Sequence, residues 1–345
     1  MRRGAGEVCR GHHNVNHVLP TGVLLACLVG ALPFTRCKYR VPVAAVEVAP
    51  RAWPREGDVL RVVARHLPEV PRFLCDLGER SLHVYRPGRA LSEENPEGAV
   101  GEELMRSFAD FFVRTAAVPV AELPPLPPDW PADRDGDGFL RRLAGFTDRR
   151  VDRANRERFG PLFDALGIPE GVMLSFVRRH TGLTPRPFAL LHTDVHRANV
   201  VLHGGRLTVI DWELAMYGDP LHDLATHLVR MGYGKEEQAR MTRIWTQAMH
   251  AAGHGDRTAG IDDDLPVYLA FEYAQSVFPD VMRAALGLPD APREADFLAA
   301  ARRVQVATGL ARQPLRLIDV PGLQRTAEAL RAWHATDTAR RRAPS

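Results

Sequence analysis

The sequence predicts an α+β protein with two lobes, a small β-rich one first and a larger, mainly helical one after it. Three observations carry this. The first ninety residues break into short extended runs around a single helical stretch. From about residue 139 onward, apolar residues recur at helical spacing. The helical pattern is interrupted once, at 190–212, by a stretch that reads as a loop followed by a β-hairpin. The expected boundaries are 1–88 for the N-terminal lobe, 89–335 for the helical lobe, and 336–345 for a disordered tail ending in "ARRRAPS".

Residues 7–20, "EVCRGHHNVNHVLP", form two extended runs around a Gly/His/Asn turn. The apolar run at 18–34 follows Arg2, Arg3 and Arg10 and superficially resembles a signal-peptide core. It is too short and too interrupted by Pro and Gly to span a bilayer. A buried position just after the first strands, in a cytoplasmic protein, is expected instead. "VAAVEVAPRA" (43–52) reads as a strand, and "PREGDVLRVVARHL" (54–67) as a helix with Glu56 in its first turn. Residues 72–91 read as strand, turn, strand and connector, and 101–118 as an amphipathic helix. Residues 121–133 are proline-rich and are expected to contain no regular element. "DRDGDG" (133–138) matches half of a calcium loop through Asp133, Asp135, Asp137 and Gly138. Position twelve is Ala144 where a bidentate Glu belongs, so a polar loop is expected.

The bulk numbers narrow the class. The chain has 345 residues, 45% hydrophobic and 25% charged, enough for a large core without disulfide or metal staples. Net charge is +3, Lys38 and Lys235 are the only lysines, and the arginines are interspersed with acids. That pattern lacks the concentrated basic stripe of a nucleic-acid surface. Cys9, Cys27, Cys37 and Cys75 form no CxxC pair and read as free thiols. No nucleic-acid partner and no membrane are therefore expected. The chain is expected to be a monomer or a dimer.

The chemistry concentrates in "LLHTDVHRANVVLHGGRLTVIDWELAMYGDPLHDLATHL" (190–228). "NVVLH", Gly204-Gly205 and "RLTVID" make a hairpin with a two-residue turn. A hairpin returns the chain to where it began, so Asn199 and Asp211 end near one another, and Asp194 lies on the loop just before. Phosphoryl transfer uses such a set. One carboxylate orients the attacking hydroxyl, and an amide oxygen with a second carboxylate holds magnesium, a hard ion that prefers oxygen ligands. The competing reading takes H-T-D-V-H as the metal cluster of a hydrolase. It leaves Asn199, the hairpin to Asp211 and the GDPxxDLA run unexplained.

"HTDVHRAN" with "VIDWELAMYGDPLHDLA" resembles the aminoglycoside phosphotransferase family through His192, Asp194, His196, Asn199, Asp211, Gly218, Asp219, Pro220 and Asp223. The resemblance implies a protein-kinase-like bilobal fold and an ATP- and Mg2+-dependent transfer of the γ-phosphate to a small-molecule hydroxyl. Asp194 would be the catalytic base, Asn199 and Asp211 the metal ligands. His192 would brace the catalytic loop, and Asp223 would anchor it from the next helix. Trp212 would pack and Asp219 would cap. His196, His203, His222 and His227 would be structural.

The resemblance also assigns a nucleotide site to the first lobe. The turn around Gly11 and Asn14 would cover the phosphates. Val84 to Arg86 would form the hinge that pairs with adenine, with Pro87-Gly88 turning the chain into the larger lobe. Family kinases carry a strand-three Lys paired with a helix Glu. In this chain Arg51 is the best match, with Glu56 as its partner and Lys38 as the alternative. "IDDDLP" (261–266), Glu272 and Asp280 could receive a cationic acceptor such as an aminoglycoside. A nucleotide-binding module without catalysis is the other reading, favoured by the missing Lys and opposed by the complete Asp194, Asn199 and Asp211 set.

Overall fold

Strand β1 (Glu7–Arg10) runs antiparallel to β2 (Asn14–Pro20), the strand-turn-strand read from the sequence. The turn between them lies outside the described residues of this computed structural model, which are 7–10, 14–42 and 49–342. Helix α1 (Val23–Val29) follows, ending on Gly30 in the left-handed region. Next comes β3 (Arg36–Pro42), paired with β2 and with β5. Helix α2 (Glu56–His66) buries Val59, Leu60, Val62 and Val63 on one stripe. The hairpin of β4 (Phe73–Leu77) and β5 (Arg80–Val84) completes a five-stranded sheet of order β1-β2-β3-β5-β4.

Two expectations fail in this region. Of the strand expected at 43–52, residues 43–48 lie outside the described residues and 49–52 have no regular structure; the strand described in this region, β3, lies earlier. The β-branched run attracted the assignment, whereas β3 is rich in charge and shows no clean alternation. The segment 18–34 is mostly exposed, with Val18, Thr21 and Ala26 as its buried residues. Ala26 is the buried residue of α1, while Leu24, Leu28 and Phe34 are 77%, 76% and 72% exposed.

The chain then crosses β6 (Arg89–Ala90) into α3 (Leu91–Glu94) and α4 (Glu102–Ala116). Gly88 makes that crossing possible. Its φ is +140°, and a Cβ there would sit 2.5 Å from Val201 Cγ1 and 2.7 Å from the Leu202 carbonyl. Helix α4 buries Met105, Phe108, Ala109, Phe111 and Phe112, a core stripe at i, i+3, i+4 spacing. The proline-rich segment contains one regular feature, a 3-10 turn at Val120–Glu122 that begins just before it. Strand β7 (Ala189–Leu191) pairs with β10 (Met216–Gly218), and between them lies the hairpin β8 (Val200–His203) and β9 (Arg206–Val209). Gly204 and Gly205 turn it at φ +56° and +75°, as the two-residue turn requires. Helices α5 (Pro220–Arg230) and α6 (Lys235–Ala251) follow. All of this belongs to one packing unit, comprising described residues through 42, 51–134 and 186–259.

The second unit, mainly 135–185 and 260–342, is helical. Its helices include Gly136–Phe146, Arg156–Ala165, Ile261–Leu286, Glu294–Leu315 and Leu323–Arg342. Phe159 stacks on Trp333 at 5.3 Å, and Phe163 meets Phe278 edge-on at 5.6 Å. The acids of the half calcium loop are committed to the backbone. Asp135 caps its helix through Gly138 N–H, and Asp137 accepts from Gly182 and Leu183. In the first unit, Asp133 accepts from Phe188. The acids expected to receive a cationic acceptor also have internal partners. Asp264 accepts from Thr184 N–H at 2.9 Å, Glu272 from Gln275 at 2.8 Å, and Asp280 from Arg283 at 3.3 Å. No helix among the described residues is long and apolar enough to cross a membrane.

Candidate active site

Strand β7 delivers the chain into the loop 192–199, and α5 holds that loop by its backbone. Asp223 accepts from His192 N–H at 2.9 Å and from Thr193 N–H at 2.7 Å. Thr193 sits at φ +62°, an unfavourable conformation for a β-branched residue, and its hydroxyl is tied to the Leu214 carbonyl. His192 is fully committed: Nδ1 accepts from Asp194 N–H at 3.2 Å and Nε2 donates to the Ile210 carbonyl at 3.2 Å. Burial lowers its pKa to about 4, so it is a neutral brace in one tautomer. With both ring nitrogens occupied it cannot also ligate a metal, which removes the first donor from the H-T-D-V-H hydrolase reading.

Asp194 and Asn199 meet across this loop. Asn199 Nδ2 donates to Asp194 Oδ2 at 2.8 Å and to its carbonyl at 3.0 Å. The other carboxylate oxygen, Oδ1, accepts from the Arg230 guanidinium at the end of α5, and His196 Nε2 lies 3.5 Å from Oδ2. Burial pushes the Asp194 pKa up, but Arg230, His196 and His192 outweigh it and hold the carboxyl well below the usual range. The backbone of Asn199 accepts from Ile210 N–H at 2.9 Å, locking the loop to the end of β9. Asp211 follows at φ +72°, a second strained non-glycine residue, which turns its carboxylate toward the sheet.

There it meets Arg40. The Arg40 side chain, 4% exposed, donates to Asp211 Oδ1 at 2.7 Å and to Glu56 Oε2, and lies 3.6 Å from Glu213. Glu56 in turn accepts from Trp212 N–H at 2.8 Å through Oε1. Burial opposes the charge on Arg40, but Glu56, Asp211 and Glu213 hold it permanently cationic. Burial likewise opposes ionisation of Glu56 and Asp211, and Arg40 keeps both below their ordinary values. A strand, a helix and the end of the β8–β9 hairpin are thus joined by one guanidinium fork.

The profile of the phosphotransferase enzyme family, APH, matches residues 39–260, which span both Arg40 and the loop 192–199. The chain belongs to the APH phosphotransferase family. It is a small-molecule kinase. Solved structures agree on the fold. A candidate aminoglycoside phosphotransferase of Ralstonia eutropha JMP134 is 15% identical with a TM-score of 0.55, over 90% of this chain and 92% of that one. A choline/ethanolamine kinase family protein of Mesorhizobium loti is 15% identical with a TM-score of 0.51, over 96% and 93%. Amicoumacin kinase hAmiN, bound to AMP-PNP, Ca2+ and amicoumacin, is 10% identical with a TM-score of 0.54, over 93% and 92%. At these identities the likeness shows the protein-kinase-like α+β fold. No curated protein matches the chain in sequence.

In this kinase the cation paired with Glu56 is Arg40, not Arg51. Arg51 has its side chain 37% exposed and, among the described residues, pairs with Glu213 at 3.9 Å. The error follows from the misplaced strand: once β3 is Arg36–Pro42, Lys38 and Arg40 share one of its faces and Arg51 lies beyond its end. Lys38 is half-buried, and its charge helps hold Glu56 and Asp211 below their ordinary values. Gly11 lies outside the described residues, and Asn14 is described only as the first residue of β2. In the hinge, Val84 N–H is spent on the Arg72 carbonyl at 2.8 Å and Tyr85 N–H on the Arg36 carbonyl at 2.9 Å. Arg86 points its side chain at the Pro68 and Val70 carbonyls.

Other residues sit as the motif implied. Trp212 packs at 4.7 Å on His192, and Asp219 caps α5 through Leu221 N–H while holding the buried Arg186. His227 donates to the Val195 carbonyl at 3.0 Å and packs on Phe108. Arg230 went unnoticed in the sequence. Its signal is the spacing of seven from Asp223, which places both on the same face of α5.

Proposed function

We propose that this kinase transfers the terminal phosphate of a nucleoside triphosphate, ATP by the family's pattern, to a hydroxyl of a small molecule. The observation that supports it is the Glu56–Arg40–Asp211 bridge, which ties the carboxylate that would bind metal to the sheet that would cover the phosphates, with Asn199 bonded to Asp194 in the adjoining loop. The donor set fits magnesium. Asp211 offers a carboxylate, and Asn199, with Nδ2 turned to Asp194, has its amide oxygen for a cation. Bound there, magnesium would neutralise charge on the nucleotide phosphates. The solved complex of the amicoumacin kinase with AMP-PNP and Ca2+ supports nucleotide and divalent-cation use by this fold.

The chain's own residues supply positioning. Asp194 accepts a hydrogen bond from the acceptor hydroxyl and aims its oxygen at the terminal phosphorus. As the new P–O bond forms, the bond to the bridging oxygen breaks and the nucleoside diphosphate leaves with that electron pair. The hydroxyl proton passes late to Asp194, whose low pKa makes it an orienting group first. Arg40 stands in the place of the usual Lys and holds Asp211 in register. The alternative, a nucleotide-binding module, rests on that Lys-to-Arg exchange.

An ATP-consumption screen over aminoglycosides, other antibiotics, amino alcohols and sugars tests the proposal, alongside Asp211→Ala. Acceptor-dependent turnover, with weaker Mg-nucleotide binding in Asp211→Ala, supports the kinase. Nucleotide binding without turnover on any acceptor supports the module.

A further inference from the structure

We infer that Arg230 makes the acceptor site select a hydroxyl with no positive charge beside it, carried on an uncharged or carboxylate-bearing small molecule. The inference rests on Asp194 being the residue that orients the acceptor. The Arg230 guanidinium donates directly to Asp194 Oδ1, and His196 stands 3.5 Å from Oδ2. The pair fronts solvent, with side chains 28% and 17% exposed, so it lies where an acceptor must arrive.

A carboxylate that orients an acceptor can also attract an ammonium group, but the Asp194 charge is already neutralised by Arg230. A hydroxyl bonded to Asp194 lies about 2.7 Å from its oxygen. An ammonium three or four bonds from that hydroxyl oxygen, as in an amino alcohol, then falls roughly 4–7 Å from the guanidinium. At that separation the guanidinium cancels the attraction that an unpaired Asp194 would offer, a loss of about ten- to hundredfold in kcat/KM for a cationic acceptor. Uncharged or carboxylate-bearing acceptors escape that penalty.

The test measures kcat/KM with Mg-ATP for the wild type, Arg230→Gln and Arg230→Lys on three probe classes. These are amino alcohols and aminoglycosides (ethanolamine, choline, kanamycin), neutral sugars and polyols, and hydroxy acids such as glycerate and gluconate. Thermal shifts with Mg-AMP-PNP report binding for each. The wild type is expected to favour the second and third classes. Arg230→Gln should lower that preference about tenfold or more, and Arg230→Lys should keep most of it. Three results overturn the inference: a wild-type preference for cationic acceptors, an equal loss on all classes in Arg230→Gln, or no binding and no turnover with any uncharged or anionic probe. The wild-type panel and Arg230→Lys decide the matter if Arg230→Gln does not fold. Failure of the kinase reading itself shows separately, as Mg-AMP-PNP affinity equal in the wild type and Asp211→Ala.

Discussion

Replacing Arg40 by Ala removes the fork that joins Glu56 to Asp211 and leaves Glu56, Asp211 and Glu213 facing one another around a hole. Breaking a buried ion pair from one side costs about 3–5 kcal/mol, because the partner charge is stranded. For a unit of this size that corresponds to roughly 6–20 °C in Tm. The pH dependence gives the loss a signature. In the wild type, Glu56 and Asp211 are held below their ordinary values, so their stabilisation is present above about pH 4 and is lost as pH falls through the folded pKa values. In Arg40→Ala the largest opposition to burial is gone, leaving Lys38 and, at Glu56, His83; both carboxyls rise, and protonation relieves them. The Tm deficit should therefore be larger at pH 8 than at pH 5. Arg40→Lys keeps a charge but not the fork, and should fall between. Differential scanning fluorimetry at the two pH values checks this, with Mg-nucleotide affinity measured beside it. A deficit below about 0.5 kcal/mol, or one that grows toward pH 5, would refute the bridge as the element that holds the site.

Asp223→Ala strips the acceptor from two buried backbone N–H groups and should cost roughly 2–5 kcal/mol, with a fall in kcat that exceeds the fall in nucleotide affinity; equal falls would show that Asp223 does not position the loop. Gly88→Ala meets both a forbidden φ and a 2.5 Å contact, so denaturant unfolding should show a loss of about 2–4 kcal/mol, and a neutral result would mean the crossing can shift. His83, His192 and His227 are buried with pKa values lowered to about 4, and His222 to about 3, burial being the first cause in each. The unfolded chain binds these protons near pH 6.5 and the folded one does not, so stability should fall steeply from about pH 6.5 toward pH 4. A Tm flat between pH 7 and pH 5 would contradict that burial.

The catalytic half of the site was readable because its chemistry is local. Asp194, Asn199 and Asp211 lie within one loop and one hairpin, and the Gly204-Gly205 turn brings the last two together without help from distant packing. Asp223 was readable too, one helical turn beyond the Asp219-Pro220 start of α5. Arg40 was not, because its role depends on which stretch becomes β3. The apolar run 43–48 outscores "RCKYRVP" on β-propensity, whereas pairing with β2 and β5 selects the charged stretch. The exposed apolar face of α1 was misread for a related reason: composition reports that Leu24 and Leu28 are apolar, and only tertiary packing decides whether they are covered. Arg230 needed both the helical phase of α5 and the position of the loop it touches.

The most direct test of the account is transfer of labelled γ-phosphate from ATP to a hydroxyl acceptor by the wild type and by Asp194→Asn. The account predicts label on an acceptor for the wild type and at least a hundredfold less for the variant, with Mg-nucleotide affinity within about threefold. Undiminished transfer by Asp194→Asn would contradict it.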